Sequence, residues 1–254
     1  MTAADFRQAA REALRGKWRK LYFPFLIVSL VSSAFALPEL LEYLFPEARS
    51  FLSWFLHLPE LALRVFSSWL MIGSYRISCA VLDGEPFSPG MLFDRSHLGA
   101  GLLIGVVYQA FSFGISLLAG LSILFSPLGA IVFFMLLFAI AIFACWIFFR
   151  FHGSYYLLSQ DKFLRFADAL GNSWDHMRGN VRRSIGLSFS FIGWLLLAIA
   201  ASSGVNRICT LLMGDFGAVP ATLIFAALTV PLQIYISVSQ AALYRDIFRK
   251  KSSS

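Results

Sequence analysis

Between Leu98 and Phe149 the chain has no Asp, Glu, Lys, Arg or His. A soluble domain is not built from such a run, and one membrane crossing takes only about 20 apolar residues. The stretch therefore predicts two crossings, and Ser126-Pro127-Leu128-Gly129 supplies a turn near its middle. Acidic residues are scarce throughout, 14 in all, and none falls inside a predicted span. That argues against a proton-driven transporter built on a carboxylate relay. Cysteine is scarce too. Cys79, Cys145 and Cys209 are far apart in or beside apolar segments, which is neither a disulfide framework nor a metal-ligand spacing. The four histidines (His57, His97, His152, His176) are scattered and show no zinc-ligand spacing. There is no Gly-Lys-Ser/Thr phosphate loop, no His-Glu-x-x-His helix and no Gly-x-Ser-x-Gly elbow. The expectation is a chain that is not an enzyme and carries no cofactor.

What is present is apolar. The composition is 58% hydrophobic with a mean hydropathy of +0.73 and only 14% charged residues, too few to cover a water-soluble surface. Periodicity and charge predict an all-α polytopic membrane helical bundle, a single domain over 1–254. It has six transmembrane helices, at about 21–37, 61–82, 98–124, 128–158, 184–203 and 219–244, and two amphipathic interfacial helices, 3–20 and 162–178. In the first of these, Phe6, Ala10, Ala13, Leu14 and Trp18 share one face and Arg7, Arg11, Arg15 and Arg19 another, as in a helix lying on an anionic leaflet. In the second, Phe163, Phe166, Ala167, Leu170, Trp174 and Met177 form the apolar face, with Asp161 as cap. Residues 38–60 read as a loop with a short amphipathic piece. Ala34-Phe35-Ala36 resembles a signal-peptidase site, but the patterned, partly acidic segment before it argues against cleavage.

The net charge of +7 reads as topology and not as nucleic-acid binding. Of the 21 Lys and Arg residues, only Arg49, Arg64 and Arg207 fall on the outer side of a six-span chain. Cytoplasmic loops collect basic residues, so both termini are expected in the cytoplasm, the protein sitting in the bacterial cytoplasmic (inner) membrane.

Two polar stripes lie in otherwise apolar spans. Gly101, Gly105, Gln109, Ser112 and Ser116 follow helical spacing in the third. Thr229, Gln233, Ser237, Gln240 and Tyr244 do so in the sixth. Such stripes either pack helices closely or line a polar path between spans three and six. Arg178, Arg182, Arg183 and Arg245 form part of an inner basic belt, suited to anionic phospholipid headgroups or to a protein partner at the cytoplasmic face. The leading expectation is a non-enzymatic scaffold, assembly or envelope factor. The alternative is a small-molecule or lipid transporter, and a membrane-embedded lipid enzyme is a weaker third.

Ala169-Leu170-Gly171-Asn172-Ser173-Trp174-Asp175-His176-Met177-Arg178-Gly179-Asn180, continuing to Ser188-Phe189-Ser190-Phe191-Ile192-Gly193-Trp194, resembles the hallmark of the bacterial family labelled domain of unknown function 975. Arg11–Trp18, Leu82–Pro86 with Leu92-Phe93-Asp94, and Ala241–Asp246 are similar to its opening helix, a loop and its closing signature. The residues around 126–129 and 150–156 correspond only loosely. The resemblance implies a multi-span membrane protein and no particular activity. Read physically, Met177, Gly179 and Asn180 close an interfacial helix, with Asn180 as a left-handed cap. Gly193 then admits a neighbouring helix, with Trp194 packed beside it.

Overall fold

The computed structural model describes residues 2–33, 49–121 and 127–251; within these, side chains are described outside 49–60, 111–112, 115–134, 136–137, 141 and a few single positions. Every regular element among the described residues is helical: α1 (Ala3–Ala13), α2 (Trp18–Ser33), α3 (Arg49–Asp83), α4 (Leu98–Leu121), α5 (Pro127–Gln160), α6 (Phe166–His176), α7 (Val181–Phe189), α8 (Ile192–Met213) and α9 (Ala218–Lys251), with short 3-10 turns at Pro89–Phe93, Arg95–His97 and Gly214–Gly217. Among the described residues, four segments are long and apolar enough to cross a membrane: Leu61–Asp83, Phe138–Gln160, Ile192–Met213 and Val219–Arg249.

Helices α3 and α9 form the spine. Val230, Ile234, Val238 and Ala241 are fully buried along one stripe of α9, the three-and-four spacing that turns a single helix face inward. Helix α9 packs on α1, α2, α3 and α8, while α3 also carries α4 and α5. Pro231 interrupts α9. It has no N–H to give the carbonyl four residues earlier, and the hydroxyl of Tyr22 on α2 donates to that carbonyl, Ala227 O, at 3.0 Å. The unpaired acceptor left by the proline thus becomes a tie between two helices.

Helix α4 lies close on α3 because its glycines allow it. A Cβ on Gly101 would sit 2.7 Å from Trp69 Cα, and one on Gly105 2.7 Å from Val65 Cα. The loop after α3 returns along the same helix: a Cβ on Gly73 would meet Leu92 O at 2.4 Å. Asp94 pins that loop. Its carboxylate pairs with Arg76 and accepts from Ser96 N at 3.0 Å, and its carbonyl accepts from the Trp69 indole at 2.9 Å. The bond from Ser96, with help from Arg76, holds the Asp94 carboxyl below the usual carboxylate range.

His97 ends the loop and is buried. Burial first, then the positive charge of Arg76, pushes its imidazole below 6.5. The unfolded chain therefore binds more protons than the folded one as pH drops below about 6.5, and stability falls with it. We expect the unfolding midpoint to decrease from about pH 7.5 to about pH 5, and His97→Asn to flatten that slope. Parallel slopes in the two proteins would reject the assignment to His97.

Several sequence expectations need correction. The 3–20 helix is two helices. Helix α1 opens on a capping box, in which Asp5 N donates to the Thr2 hydroxyl and Thr2 N to the Asp5 carboxylate. The backbone then turns over 14–17, with Gly16 at φ +75°, before α2 begins. Residues 49–60, expected in a loop, are helical and continuous with α3, whereas 34–48 lie outside the described residues. Ser126 also lies outside them, and Pro127 begins α5 rather than a turn. The 162–178 helix is shorter: Phe163 precedes it and is 93% exposed, and Asp161 accepts from Phe163 N to shape the turn ahead of α6.

The span expected at 184–203 is replaced by two elements. Helix α7 is amphipathic, burying Val181, Ser184 and Leu187. It ends in a turn at Ser190-Phe191, and only α8 is span-like. The break is hard to place from the sequence because Ile185, Leu187 and Phe189 continue the apolar character of α8 upstream of it. The left-handed position before α7 belongs to Gly179, at φ +84°, which lacks the Cβ that disfavours it. Asn180 is right-handed at φ −103° and instead donates its amide to His176 O at 3.0 Å. Gly193 has open space where a Cβ would be, so no described helix approaches it, and Trp194 is exposed.

Candidate binding cavity

A cavity of about 270 Å³ opens between α3, α4 and α5. Helix α3 contributes Arg64, Ser67, Ser68 and Met71; α4 contributes Gly105, Tyr108 and Gln109; α5 contributes Phe148, His152 and Tyr155. Gly105 plays two parts, bringing the two backbones together and leaving room beside them. Ser67 is committed to its own helix, donating to Arg64 O at 2.7 Å.

The wall at His152 is built by a hydrogen-bonded chain across three helices. The Tyr75 hydroxyl lies 3.0 Å from His152 Nε2 and donates to Gln240 Oε1 at 2.9 Å. A tyrosine has one proton to give. Since it goes to Gln240, His152 Nε2 must be the protonated nitrogen, donating to Tyr75. The tautomer follows from the network and leaves Nδ1 with a lone pair. His152 Nδ1 and the Tyr108 hydroxyl are both sealed from water with no partner among the described residues. Aromatic rings frame this chain. Phe148 stacks on His152 at 5.2 Å, Tyr108 stacks on Tyr155 at 6.1 Å, and Tyr244 meets Tyr75 edge-on at 5.9 Å.

The two predicted polar stripes have different surroundings. Helix α3 stands between them, because α4 packs on one side of it and α9 on another. Gln109 lines the cavity. Ser112 and Ser116 continue α4, but their side chains lie outside the described part. On α9, Gln240 reaches Tyr75, Ser237 shares a 2.9 Å bond with Ser78, and Gln233 donates to Ser29 on α2 at 3.2 Å. Thr229 bonds back to Phe225 O and Ala226 O of its own helix, both at 3.1 Å. Most of the sixth-span stripe is therefore helix-to-helix bonding. Gln240 reaches the cavity wall through Tyr75, and the Tyr244 ring meets the wall residue His152 edge-on at 6.1 Å.

The basic belt divides as well. Arg183 pairs with Asp246 at 2.5 Å, bonds Asn180 Oδ1 at 3.2 Å and lies over the Phe6 ring. Arg245 pairs with Asp83 at 2.6 Å. Arg178 and Arg182 are exposed and form no ion pair with a described residue. Met177 and Tyr244 are fully buried core residues.

Tyr75, Tyr108 and His152 were not among the predicted site residues. His152 sits three and four residues before Tyr155 and Tyr156, one helical face carrying three polar aromatics, and that was the available signal. Arg150 is a further case. It is buried, with its guanidinium between the rings of Trp146 (4.5 Å) and Trp174 (3.9 Å), an arrangement in which aromatic faces stabilise a cation. Among the described residues no three His, Cys, Asp or Glu side chains gather as a metal site would require.

No family model, curated protein or solved structure matches this chain.

Proposed function

We propose that this is a six-span protein of the bacterial cytoplasmic membrane, with both termini on the cytoplasmic side, that binds and passes a small ligand through the cavity between α3, α4 and α5. The observation that carries the reading is the cavity wall itself. Buried polar groups in proteins are nearly always paired, and an unpaired one costs about 1–3 kcal/mol. Here His152 and Tyr108 line an open space, and just behind its surface an imidazole acceptor and a phenol have no partner among the described residues, so a small side-chain shift brings them within reach of a ligand. A ligand bearing N–H or O–H donors offsets that cost, and Gln109 offers both a donor and an acceptor to it. The six spans are supported by α2 and α4 joining the four long apolar segments. The cytoplasmic termini are supported by the basic bias, and membership of the resembled family by residues 169–194.

The test is access and transfer. With Cys145→Ala removing the exposed native thiol, Gln109→Cys should react with a small water-soluble maleimide in intact membranes. Gln109→Leu should leave expression unchanged while reducing ligand flux by about tenfold, the worth of one neutral hydrogen bond. An unreactive thiol in the Gln109→Cys variant, together with unchanged flux in Gln109→Leu, would reject the cavity.

A second reading, the scaffold or assembly factor, is favoured by Arg178 and Arg182. These two cations are exposed and have no ion pair among the described residues, and so are available to anionic headgroups or to a protein partner.

A further inference from the structure

A second and larger recess lies on another side of the molecule. It has a volume of about 400 Å³ and runs between α8 and α9, with Trp18 of α2 at one edge and Trp194 at the other. The volume is within the range of small-molecule sites, roughly 300–1,000 Å³. Its chemistry differs from that of the cavity. On α8, Leu197, Ala198 and Ala201 follow Trp194 at helical spacing, and on α9 the wall includes Phe225, Leu228 and Leu232. Of the two hydroxyls in its lining, that of Thr229 is spent on its own helix and that of Tyr235 is spent on α1. Pro231 lies in the floor. This is a slot for hydrocarbon.

One end of the slot is cationic. Tyr235 lines the slot and donates to Arg7 O at 3.3 Å, and Arg7 Nη1 reaches Ser190 O, four residues before Trp194, at 3.5 Å. Arg7 therefore stands at the mouth. Arg11 lies one turn further along α1, and Arg15 lies in the turn that leads to Trp18, whose side chain lines the slot. None of the three pairs with a described carboxylate: Asp5 is engaged by Thr2, and Glu12 accepts from Gln8 at 3.0 Å. Buried Arg7 Nε has no partner at all among the described residues.

We infer that the slot between α8 and α9 holds an acyl chain of an anionic phospholipid whose phosphate is met by Arg7, Arg11 and Arg15. The chain of reasoning is charge complementarity. An apolar slot alone would take any lipid tail, but arginines at its mouth that have no carboxylate partner among the described residues select a negative headgroup, because arginine binds phosphate with paired, charge-assisted bonds. Exposed tryptophans at both edges suit the headgroup level of a bilayer. The inference rests on the membrane reading above and not on the α3–α4–α5 cavity.

The experiment uses the full chain in a mild nonionic detergent after delipidation, titrated with dioleoyl phosphatidylglycerol or dioleoyl phosphatidylcholine and read by native mass spectrometry. Phosphatidylglycerol should bind at least about tenfold more tightly, and each of the three arginines changed to Gln should cost about fivefold. Ala198→Phe, which fills the slot, should abolish the preference. Arg178→Gln with Arg182→Gln should not, nor should Gln109→Leu, which separates this site from the cavity. If Ala198→Phe fails to fold, quenching of Trp fluorescence by acyl-brominated phosphatidylglycerol replaces it, and Trp18→Phe with Trp194→Phe should remove most of that quenching. Equal affinity for the two lipids overturns the inference. So does a preference that survives slot filling, a loss as large from Arg178 and Arg182, or quenching unchanged without Trp18 and Trp194.

Discussion

Gly105→Leu should prevent recovery of folded protein, while Gly99→Leu, six residues away in the same helix, should be recovered normally. The difference lies in what a new side chain would meet. At Gly105 the first added carbon would lie 2.7 Å from Val65 Cα and 2.8 Å from Val65 O; at Gly99 nothing lies within 4 Å. Val65 presents backbone, which cannot rotate away as a side-chain tip can. The two helices would have to separate over their whole contact, and Gly101 against Trp69 would be pulled apart with them. Overpacking typically costs 1–3 kcal/mol, and a backbone-to-backbone clash within a paired helix interface should exceed the upper figure, roughly 3 kcal/mol or more. Small residues are what permit close helix approach in a bilayer, where hydrophobicity alone does not drive helices together. The readout is the monodisperse fraction after extraction in detergent; equal yields from the two variants would contradict the packing.

Tyr75→Phe is expected to have the next largest effect. The hydroxyl joins α3 to α5 and α9 at once, accepting from His152 and donating to Gln240. Its removal leaves a buried N–H and a half-buried carbonyl unpaired. At about 1–3 kcal/mol for each such group, the loss should be about 2–5 kcal/mol. Tyr22→Phe is the matching control. That hydroxyl makes one bond, to Ala227 O, and the residue is exposed, so its loss should cost about 0.5–1.5 kcal/mol. Unfolding midpoints in one detergent should rank wild type first, Tyr22→Phe close behind and Tyr75→Phe well below. Reversal of the last two would mean that the hydrogen-bonded chain adds little.

What the amino-acid order reveals here is uneven, for physical reasons. The long apolar helices are legible because a bilayer filters on hydrophobicity, and the absence of charge from Leu98 to Phe149 leaves few alternatives. The closeness of α3 and α4 is partly legible in Gly101 and Gly105, since small residues at helical spacing mark a contact face. Which helix faces that contact is not. Helices α4 and α9 carry the polar stripes, but α3 packs against both, and pairing of helices is set by tertiary packing that leaves no trace in periodicity. The break between α7 and α8 is hidden because Ser190 and Phe191 carry no strong turn signal. At Gly179-Asn180 both residues are able to take the left-handed position, and glycine does so at lower cost. His152 is the largest omission. A single histidine in an apolar helix usually satisfies itself in the core, and only the protonation count through Tyr75 and Gln240 shows that its second nitrogen is unpaired.

The same features explain why two recesses on one small bundle differ in chemistry. Close glycine packing leaves the α3–α4–α5 cavity beside polar side chains that the core could not pair. The α8–α9 slot is shaped instead by the proline in α9 and by the small residues of α8. The cavity suits a ligand with hydrogen-bond donors, and the slot suits a hydrocarbon chain.

The most direct test of the account is the side of the membrane on which the C-terminus lies. A protease-cleavable tag after Ser254 should be protected in intact spheroplasts and cleaved once the membrane is permeabilised. That result is predicted by six spans with the basic end inside. Cleavage of the tag in intact spheroplasts would contradict it.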